Sequence, residues 1–195
     1  MIYGTFRNSG QACGSTSRLI VQENIKDKFL DILNRKIEKI RVGNPEDTKT
    51  DMGPLVSSDQ FRKVQEYLKY AEEEKRRIIK GGIVLDIDLT KLGYFVQPTI
   101  VDSVDVYSKL FRDEIFGPVL SVVTFRNEDE AIDLANNSIY GLTAALWTKD
   151  VSRSIRLARK IRAGKLWIND NYAQPPEGIW GGFKESGYGR ELSHY

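Results

Sequence analysis

Cys13 is the only cysteine of this 195-residue chain, and it lies among glycines and hydroxyl residues in the segment NSGQACGSTSR, residues 8–18. A cysteine attacks carbonyl carbons as the thiolate, so it needs a positive partner, a helix N-terminus or a nearby base. Gly10 permits a tight backbone path before Cys13. We expect residues 14–17 to begin a short helix whose dipole and free amides favour the thiolate and an oxyanion. A packed structural cysteine is the competing interpretation.

The sequence offers little other chemistry of the usual catalytic kinds. His194 is the only histidine, and it is the penultimate residue. Histidine-dependent triads and dyads need an imidazole held in a structured site, so we exclude them. The usual sulfur and nitrogen ligands of zinc are also missing, and we predict no metal site.

Composition and charge indicate a soluble globular protein. Hydrophobic residues make up 41% and charged residues 29% of the chain, and the formal net charge is +2. This balance argues against nucleic acid or a membrane surface as a partner. No apolar run reaches the roughly 18 residues of a membrane span, and the N-terminal residues do not resemble a signal peptide. A single cysteine fits a reducing compartment, so we predict a cytoplasmic protein.

Strand and helix patterns alternate along the chain. The predicted strands are 18–22, 118–125, 143–148 and 165–169. The predicted helices are 24–41, 58–77, 128–136 and 151–162. Two further segments are predicted to be extended: 78–85 as a strand, a turn and a strand, and 95–104 as an edge strand or a bulge because of Pro98. The alternation predicts an α/β layer fold with a mainly parallel sheet and right-handed crossovers.

Helix ends and faces carry more detailed predictions. Asn24 is expected to cap the first helix, and Asn127 with Glu130 to form a capping box for the third. Asp150 is expected to cap the last helix. The charges at 72–77 would be the solvated last turns of the second helix. The predicted apolar face of the last helix contains Val151, Ile155, Ala158 and Ile161.

The order of short motifs resembles the NAD(P)-dependent aldehyde dehydrogenase superfamily over nearly the whole chain. FRNSGQACGSTSR (6–18) resembles that family's catalytic-cysteine segment. The motifs that follow in the family's order and spacing are MGPL (52–55), QPTI (97–100), DEIFGPV (113–119), NNSIYGLTAALWT (136–148), GKLWIN (164–169) and GGFKESGYGRE (181–191). Each motif is modest by itself, but the set is highly specific. The resemblance implies a three-layer αβα catalytic domain over residues 1–195.

The resemblance also implies residue roles. Cys13 matches the nucleophile that converts the aldehyde to a thiohemiacetal, with its backbone amide as half of the oxyanion site. Glu114 matches the carboxylate that accepts from the nicotinamide ribose, and Phe116 matches the aromatic residue beside the nicotinamide, so NAD or NADP is the implied cofactor. A surface acid and ordinary core packing are the respective alternatives. Asn169 and glycines 181, 182, 187 and 189 are expected to shape loops around the active site.

Two residues give opposite indications about the aldehyde. Arg7 resembles an arginine of the succinate-semialdehyde dehydrogenase branch, where a guanidinium meets the substrate carboxylate. Trp180 resembles a tryptophan of betaine- and aminoaldehyde dehydrogenases, which contacts a cationic group. A structural role is the alternative for each. We expect a carboxylated semialdehyde, slightly ahead of a cationic aldehyde.

Residues 1–195 resemble only the cysteine-bearing catalytic domain of a three-part family enzyme. The nucleotide-binding domain, the C-terminal oligomerisation strand, the general-base glutamate and the oxyanion asparagine have no counterpart in these residues. We therefore expect the chain alone to be inactive and to bind no cofactor. We also expect it to form a homo-oligomer through an exposed apolar face. The alternative function is a non-enzymatic folded remnant that self-associates or pairs with a separate nucleotide-binding chain.

Overall fold

A four-stranded sheet organises the part of the chain that contains Cys13. The computed structural model describes residues 1–82, 93–171 and 173–193. Residues Ile2–Phe125 form one compact unit, which we call the cysteine unit. Residues Arg126–Tyr195, together with Met1, form a second compact unit, which we call the C-terminal unit.

Helices and parallel strands alternate in the cysteine unit. Its described helices are α1 (Ile2–Phe6), α2 (Lys26–Ile37), α3 (Ser58–Glu73) and α4 (Lys109–Arg112). Its described strands are β1 (Arg18–Gln22), β2 (Arg77–Lys80), β3 (Thr99–Asp102) and β4 (Val119–Phe125). The strand order is β1-β4-β3-β2, with β4 parallel to β1 and β3, and β2 antiparallel at one edge. The predicted α/β fold with a mainly parallel sheet is confirmed.

The strand β4 lies in the interior of this sheet because its sequence is apolar on both faces. Val119, Leu120 and Val122 are fully buried, as an interior strand covered on both sides requires. Ile100 and Val101 of the neighbouring β3 are equally inaccessible. The predicted buried strand at 118–125 is confirmed.

Pro98 affects the sheet less than its sequence position predicted. The β3 ladder begins at Thr99, whose N–H donates to the Pro118 carbonyl at 2.8 Å. Because the proline lies just outside the ladder, β3 is an interior strand, and the prediction of an edge strand was wrong. The irregularity lies in β2, whose register with β3 shifts between Ile78 and Lys80.

The helix α2 is shorter than its predicted range, 24–41. A 3-10 turn over Glu23–Ile25 precedes it, and the N-cap residue Ile25 makes no side-chain cap hydrogen bond. The prediction that Asn24 caps this helix was therefore wrong, because Asn24 lies inside the turn. The side chains that α2 buries are Leu30, Leu33 and Ile37.

The helix α3 starts as predicted and ends early. Ser57 caps it by accepting from the Gln60 N–H at 3.2 Å. The helix ends at Glu73, and Lys75 then adopts a left-handed φ of 53°. Of the charges at 72–77, only Glu72 and Glu73 lie in the last turn of the helix, as predicted for the whole set, because the chain turns at Lys75 and enters β2 at Arg77. The second strand predicted within 78–85 falls on residues outside the described ranges.

The C-terminal unit contains two small sheets and two capped helices in its described residues. Its helices are α5 (Glu128–Asn136) and α6 (Val151–Lys160). Its strands are β5 (Tyr140–Gly141), β6 (Thr143–Leu146), β7 (Lys165–Ile168) and β8 (Phe183–Lys184), with β6 parallel to β7 and β5 antiparallel to β8. Asn127 caps α5 through the Glu130 N–H at 3.0 Å, and Asp150 caps α6 through the Arg153 N–H at 2.9 Å, both as predicted. None of the helices described in either unit is long and apolar enough to cross a membrane.

The buried face of α6 differs from the predicted one. Ser154 and Leu157 point inward, whereas Val151 is 72% exposed and Ile155 is 51% exposed. Helical spacing shows which side chains share a face, but it does not show which face the rest of the unit covers. Val151 and Ile155 do share a face, as the spacing predicted, but that face is exposed at these two positions, where they form an apolar pair.

Candidate active site

Cys13 lies on an exposed turn and not at a helix N-terminus. The Ser15 N–H donates to the Ala12 carbonyl at 2.9 Å, which closes a turn over residues 12–15. The chain then runs through residues 16–17 directly into β1, so the helix predicted over 14–17 does not form. Activation by a helix dipole was therefore a wrong prediction. Cys13 is exposed, which also contradicts the interpretation as a packed interior cysteine.

The backbone before Cys13 follows an unusual path. Asn8, Ser9 and Gly10 have positive φ angles of 52°, 58° and 74°. Such angles are uncommon outside glycine, so neighbouring contacts must hold them. Ser9 Oγ donates to the Gly53 carbonyl at 2.8 Å, and Gln11 Oε1 accepts from the Val56 N–H at 2.9 Å. The loop over 53–56, which includes most of the MGPL motif, therefore supports the approach to the cysteine.

Gly10 brings the cysteine segment against the segment that contains Glu114 and Phe116. A Cβ at Gly10 would overlap the carbonyl group of Gly117. Only glycine permits the two backbones to approach this closely at a positive φ. The structure thus places the FRNSGQAC and DEIFGPV motifs side by side, although they are far apart in the sequence.

The helix α3 holds the DEIFGPV segment through one row of polar side chains. Gln60 Nε2 donates to the carbonyls of Ile115 at 3.0 Å and Phe116 at 2.8 Å. Lys63 Nζ donates to the Glu114 carbonyl at 2.8 Å, and Tyr67 donates its hydroxyl hydrogen to Asp113 Oδ2 at 2.8 Å. Because residues three or four apart share a helix face, the row follows the segment residue by residue.

Sequence reasoning missed this row of residues. The only signal available was that polar residues 60, 63 and 67 recur at helical spacing beside the buried residues 64 and 68. A solvated helix face has the same pattern. The sequence therefore offered no way to identify what these side chains bind.

Glu114 and Phe116 have different environments within the segment. Glu114 is exposed, and its carboxylate has no hydrogen-bond or ion-pair partner among the described residues. Phe116 is half-buried and has a left-handed φ of 57°. An accessible carboxylate can accept hydrogen bonds from ribose hydroxyls, and a partly exposed ring can pack on a planar heterocycle. This pair of an acceptor carboxylate and an aromatic ring fits the nicotinamide half of a dinucleotide.

The two residues with substrate indications lie in different units. Arg7, in the cysteine unit, is exposed, and its guanidinium carbon lies 5.2 Å from the ring centroid of Tyr3. Trp180, in the C-terminal unit, is half-buried, and its backbone N–H donates to the Glu191 carbonyl at 2.8 Å while its carbonyl accepts in return at 2.9 Å. Trp180 is thus held by a backbone bridge, with its ring partly accessible.

Asn169 and Gly181 make structural contacts within the C-terminal unit. The Asn169 side chain accepts from the Thr148 N–H at 2.9 Å and donates to the Thr148 carbonyl at 2.8 Å, so it joins the ends of β6 and β7. A Cβ at Gly164 would overlap the Gly181 carbonyl oxygen. Over the described ranges, no group of three or more His, Cys, Asp or Glu side chains could hold a metal ion.

Comparison with known proteins gives a consistent family relationship. A family model described as aldehyde dehydrogenase family matches residues 1–195. The peroxisomal aminoaldehyde dehydrogenase 2 of Malus domestica is 42% identical over 193 residues, which cover 99% of this chain and 38% of that protein. The betaine aldehyde dehydrogenase of Bacillus subtilis (strain 168) is 40% identical over 187 residues, which cover 96% of this chain and 38% of that protein.

A solved structure agrees in fold as well as in sequence. The crystal structure of betaine aldehyde dehydrogenase from Staphylococcus aureus in complex with NAD+ is similar with a TM-score of 0.94 and 41% identity, over 98% of this chain and 38% of that chain. The present chain spans about 38% of the length of the curated relatives described above. These relatives are named for aminoaldehydes and betaine aldehyde, so the expectation of a succinate-semialdehyde-like protein is not supported.

Proposed function

We propose, because this chain belongs to the aldehyde dehydrogenase family, that Cys13 is the nucleophile of an enzyme that oxidises a cationic aldehyde with NAD or NADP. The observation that carries the proposal is the contact between Gly10 and Gly117. It supports the proposal because the segment that carries the exposed thiol lies against the candidate cofactor segment within the cysteine unit. Without that contact, the FRNSGQAC and DEIFGPV motifs would have no structural reason to act in the same site.

The chain's own groups support attack on an aldehyde. The Cys13 thiolate would form a bond from Sγ to the carbonyl carbon, and the carbonyl electron pair would move onto oxygen to give a thiohemiacetal anion. No hydrogen bond among the described residues engages the Cys13 backbone N–H. This amide is therefore available to donate to the developing oxyanion.

Glu114 and Phe116 would hold the nicotinamide half of the cofactor. Glu114 would accept from the ribose hydroxyls, and the Phe116 ring would restrict the position of the nicotinamide. NAD or NADP, when bound, supplies the hydride acceptor for aldehyde oxidation. The crystal structure with NAD+ supports this cofactor class for a protein 41% identical to this chain.

A cationic aldehyde is the substrate class we propose. The named relatives act on aminoaldehydes or betaine aldehyde, to judge by their names. Trp180 presents a partly accessible indole, and an indole face attracts ammonium groups. Arg7 receives no substrate role in this proposal, since a guanidinium would repel the same cation.

The rest of the catalytic machinery is proposed to lie outside residues 1–195. The family resemblance assigns the general base and the adenosine-binding domain to segments that these residues do not match. We therefore expect a polypeptide of residues 1–195 to be alkylated at Cys13 but not to turn over aldehyde. The competing function, a non-enzymatic self-associating remnant, is favoured by the exposed apolar pair Val151 and Ile155.

The decisive experiment measures NAD(P)+ reduction at 340 nm (as NAD(P)H absorbance) by the whole protein that contains this chain. We expect turnover with betaine aldehyde or an aminoaldehyde, weaker turnover with succinate semialdehyde, and a loss of about 10³-fold or more in Cys13→Ala. Cys13→Ala activity equal to that of the unaltered protein would disprove the nucleophile.

A matched pair of variants tests the substrate class. Trp180→Ala should raise the KM for the cationic aldehyde by roughly tenfold, which is the loss of one cation–π contact. Arg7→Ala should leave that KM within about threefold. The reverse pattern, or turnover of the carboxylated aldehyde alone, would refute a cationic substrate while leaving the role of Cys13 intact.

A further inference from the structure

We infer that Gln60 is a positioning residue that sets the backbone of Phe116 and thereby the site for the nicotinamide ring. The inference deepens the function proposed above and rests on it. No motif of the sequence marked Gln60, and its side chain acts through the backbone of the segment rather than through its side chains.

One amide group binds both peptide planes that flank Phe116. The Ile115 carbonyl belongs to the peptide before the Phe116 Cα, and the Phe116 carbonyl belongs to the peptide after it. Gln60 Nε2 donates to the first at 3.0 Å and to the second at 2.8 Å. The orientation of these two planes about one Cα is what φ and ψ describe. Gln60 therefore constrains both torsions of Phe116 from a single point on α3.

The conformation that Gln60 constrains is one that phenylalanine does not favour. Phe116 has a φ of 57°, in the left-handed region, where a bulky side chain is a strained outlier. Such a conformation persists only where several contacts determine it. Without the two hydrogen bonds from Gln60, the Phe116 backbone would relax to an ordinary negative φ, and the ring would leave its present position.

Gly117, the residue after Phe116, packs closely against both α3 and the cysteine segment. A Cβ at Gly117 would clash with the Val64 side chain on α3, and a Cβ at Gly10 would overlap the Gly117 carbonyl. Gln60 and Val64 are four residues apart, so they lie on one face of the helix. The dipeptide Phe116–Gly117 is thus enclosed between α3 and the approach to Cys13.

The other polar residues of the row contact parts of the segment that lie farther from Phe116. Lys63 binds the Glu114 carbonyl, and Tyr67 binds the Asp113 carboxylate. Neither contact involves a peptide plane adjacent to the Phe116 Cα. Gln60 is consequently the residue of this row whose loss should affect Phe116 most.

The test compares two identical chemical changes on the same helix. Gln60→Met keeps the length of the side chain and removes both N–H donors. Gln65→Met makes the same change at a partly exposed position whose side chain has no hydrogen bond among the described residues. Gln60→Glu adds a second variant, because its carboxylate would turn acceptor oxygens toward two carbonyls. Thermal unfolding reports whether each variant is folded.

The first readout needs neither cofactor nor activity. Hydrogen–deuterium exchange of peptides that cover residues 113–119 should be roughly tenfold faster in Gln60→Met than in Gln65→Met, as expected for the loss of about one net hydrogen bond. Gln60→Glu should exchange at least as fast as Gln60→Met. Equal exchange in the Gln60 variants and the Gln65 control would overturn the inference.

The second readout connects the segment to the cofactor. In the whole protein, Gln60→Met should raise the KM for NAD(P)+ roughly tenfold, while the alkylation rate of Cys13 in the cofactor-free protein changes less than about threefold. Faster exchange with an unchanged KM would show that Gln60 holds the segment without serving the cofactor, and this result would also overturn the inference. If the unaltered protein oxidises no aldehyde, the proposed function fails, and the exchange result alone decides whether Gln60 positions Phe116.

Discussion

The position of Cys13 depends on a close contact between glycine backbones and not on the N-terminus of a helix. Its turn is exposed, and three consecutive left-handed residues lead into it. The last of these, Gly10, lies against Gly117. At the residue scale, therefore, two features determine the site. Gly10 and Gly117 have no side chains, so their backbones can approach each other closely. Phe116, next to Gly117, is held in a strained left-handed conformation.

Gly10→Ala tests this close approach. The added Cβ would overlap the Gly117 carbonyl, and alanine would also be strained at a φ of 74°. We expect the free energy of unfolding to fall by about 2–4 kcal/mol, as measured by urea denaturation. Gly189→Ala is the control, because no atom lies within 4 Å of its added Cβ. The control should change stability by less than about 0.5 kcal/mol; equal stability of the two variants would contradict the approach.

At the element scale, side-chain hydrogen bonds from helices hold neighbouring parts of the chain together. The helix α3 holds the DEIFGPV segment, as described above. In the C-terminal unit, hydrogen bonds between Glu128 and two arginines join α5 to α6, and we call this contact the α5–α6 clamp. Glu128 at the start of α5 accepts from Arg156 Nε at 2.6 Å and from Arg153 Nε at 3.3 Å, both on α6. The Arg156 hydrogen bond is the main cause that lowers the pKa of Glu128 below its ordinary value of 4.5. The same bond raises the pKa of Arg156.

This clamp makes stability depend on acid in a definite direction. A carboxyl whose pKa is lower in the folded state than in the unfolded state stabilises the fold above its unfolded pKa. That stabilisation is lost as the pH falls below 4.5 and through the folded pKa of Glu128. Urea denaturation at a series of pH values from 7 to 3 should therefore show a steeper acid loss in the unaltered protein than in Glu128→Gln.

The control for this pH series is Asp129→Asn, which removes a neighbouring carboxylate that is 89% exposed and 3.8 Å from Lys160. An exposed pair of this kind contributes little, so the control should keep the acid slope of the unaltered protein. Identical slopes for Glu128→Gln and the unaltered protein would show that the α5–α6 clamp does not respond to pH.

Exposed apolar side chains are the feature that matters at the scale of the whole molecule. Val151 and Ile155 are one helical turn apart on α6 and both face solvent. Trp147, at the end of β6, is also 59% exposed. Apolar side chains grouped on one face commonly mark an interaction surface. The expected homo-oligomer therefore has a candidate surface in the C-terminal unit, formed by the apolar face on which helical spacing placed Val151 and Ile155.

The double variant Val151→Glu with Ile155→Glu tests this surface. Two carboxylates would replace apolar area and repel a second copy of the same face. We expect the dissociation constant for self-association to rise roughly tenfold or more, as measured by sedimentation velocity. Stability should change little because both positions are exposed. Tyr107→Glu, at a position 78% exposed in the cysteine unit, serves as the control. Equal association of the two variants would exclude α6 from the interface.

The sequence by itself determined the features that depend on neighbouring residues. The strand at 18–22, the buried strand within 118–125 and the caps at Asn127 and Asp150 were all predicted correctly. Period, capping and turn chemistry act over a few residues, so they can be read locally. The motif order identified the family for the same reason, since each motif is a short local pattern.

Only the tertiary structure decided which local patterns meet. Three features depend on residues that are distant in the sequence. They are the close approach of Gly10 to Gly117, the hydrogen bonds from Gln60 to the Phe116 backbone, and the outward orientation of Val151. The helix predicted after Cys13 failed because the chain there must enter β1, whose register with β4 begins at Arg18. Hydrophobic period shows that a helix has an apolar face, but packing against the rest of the unit determines which face is covered. Long-range contacts leave no periodic signal in one sequence, and the candidate site is made of such contacts.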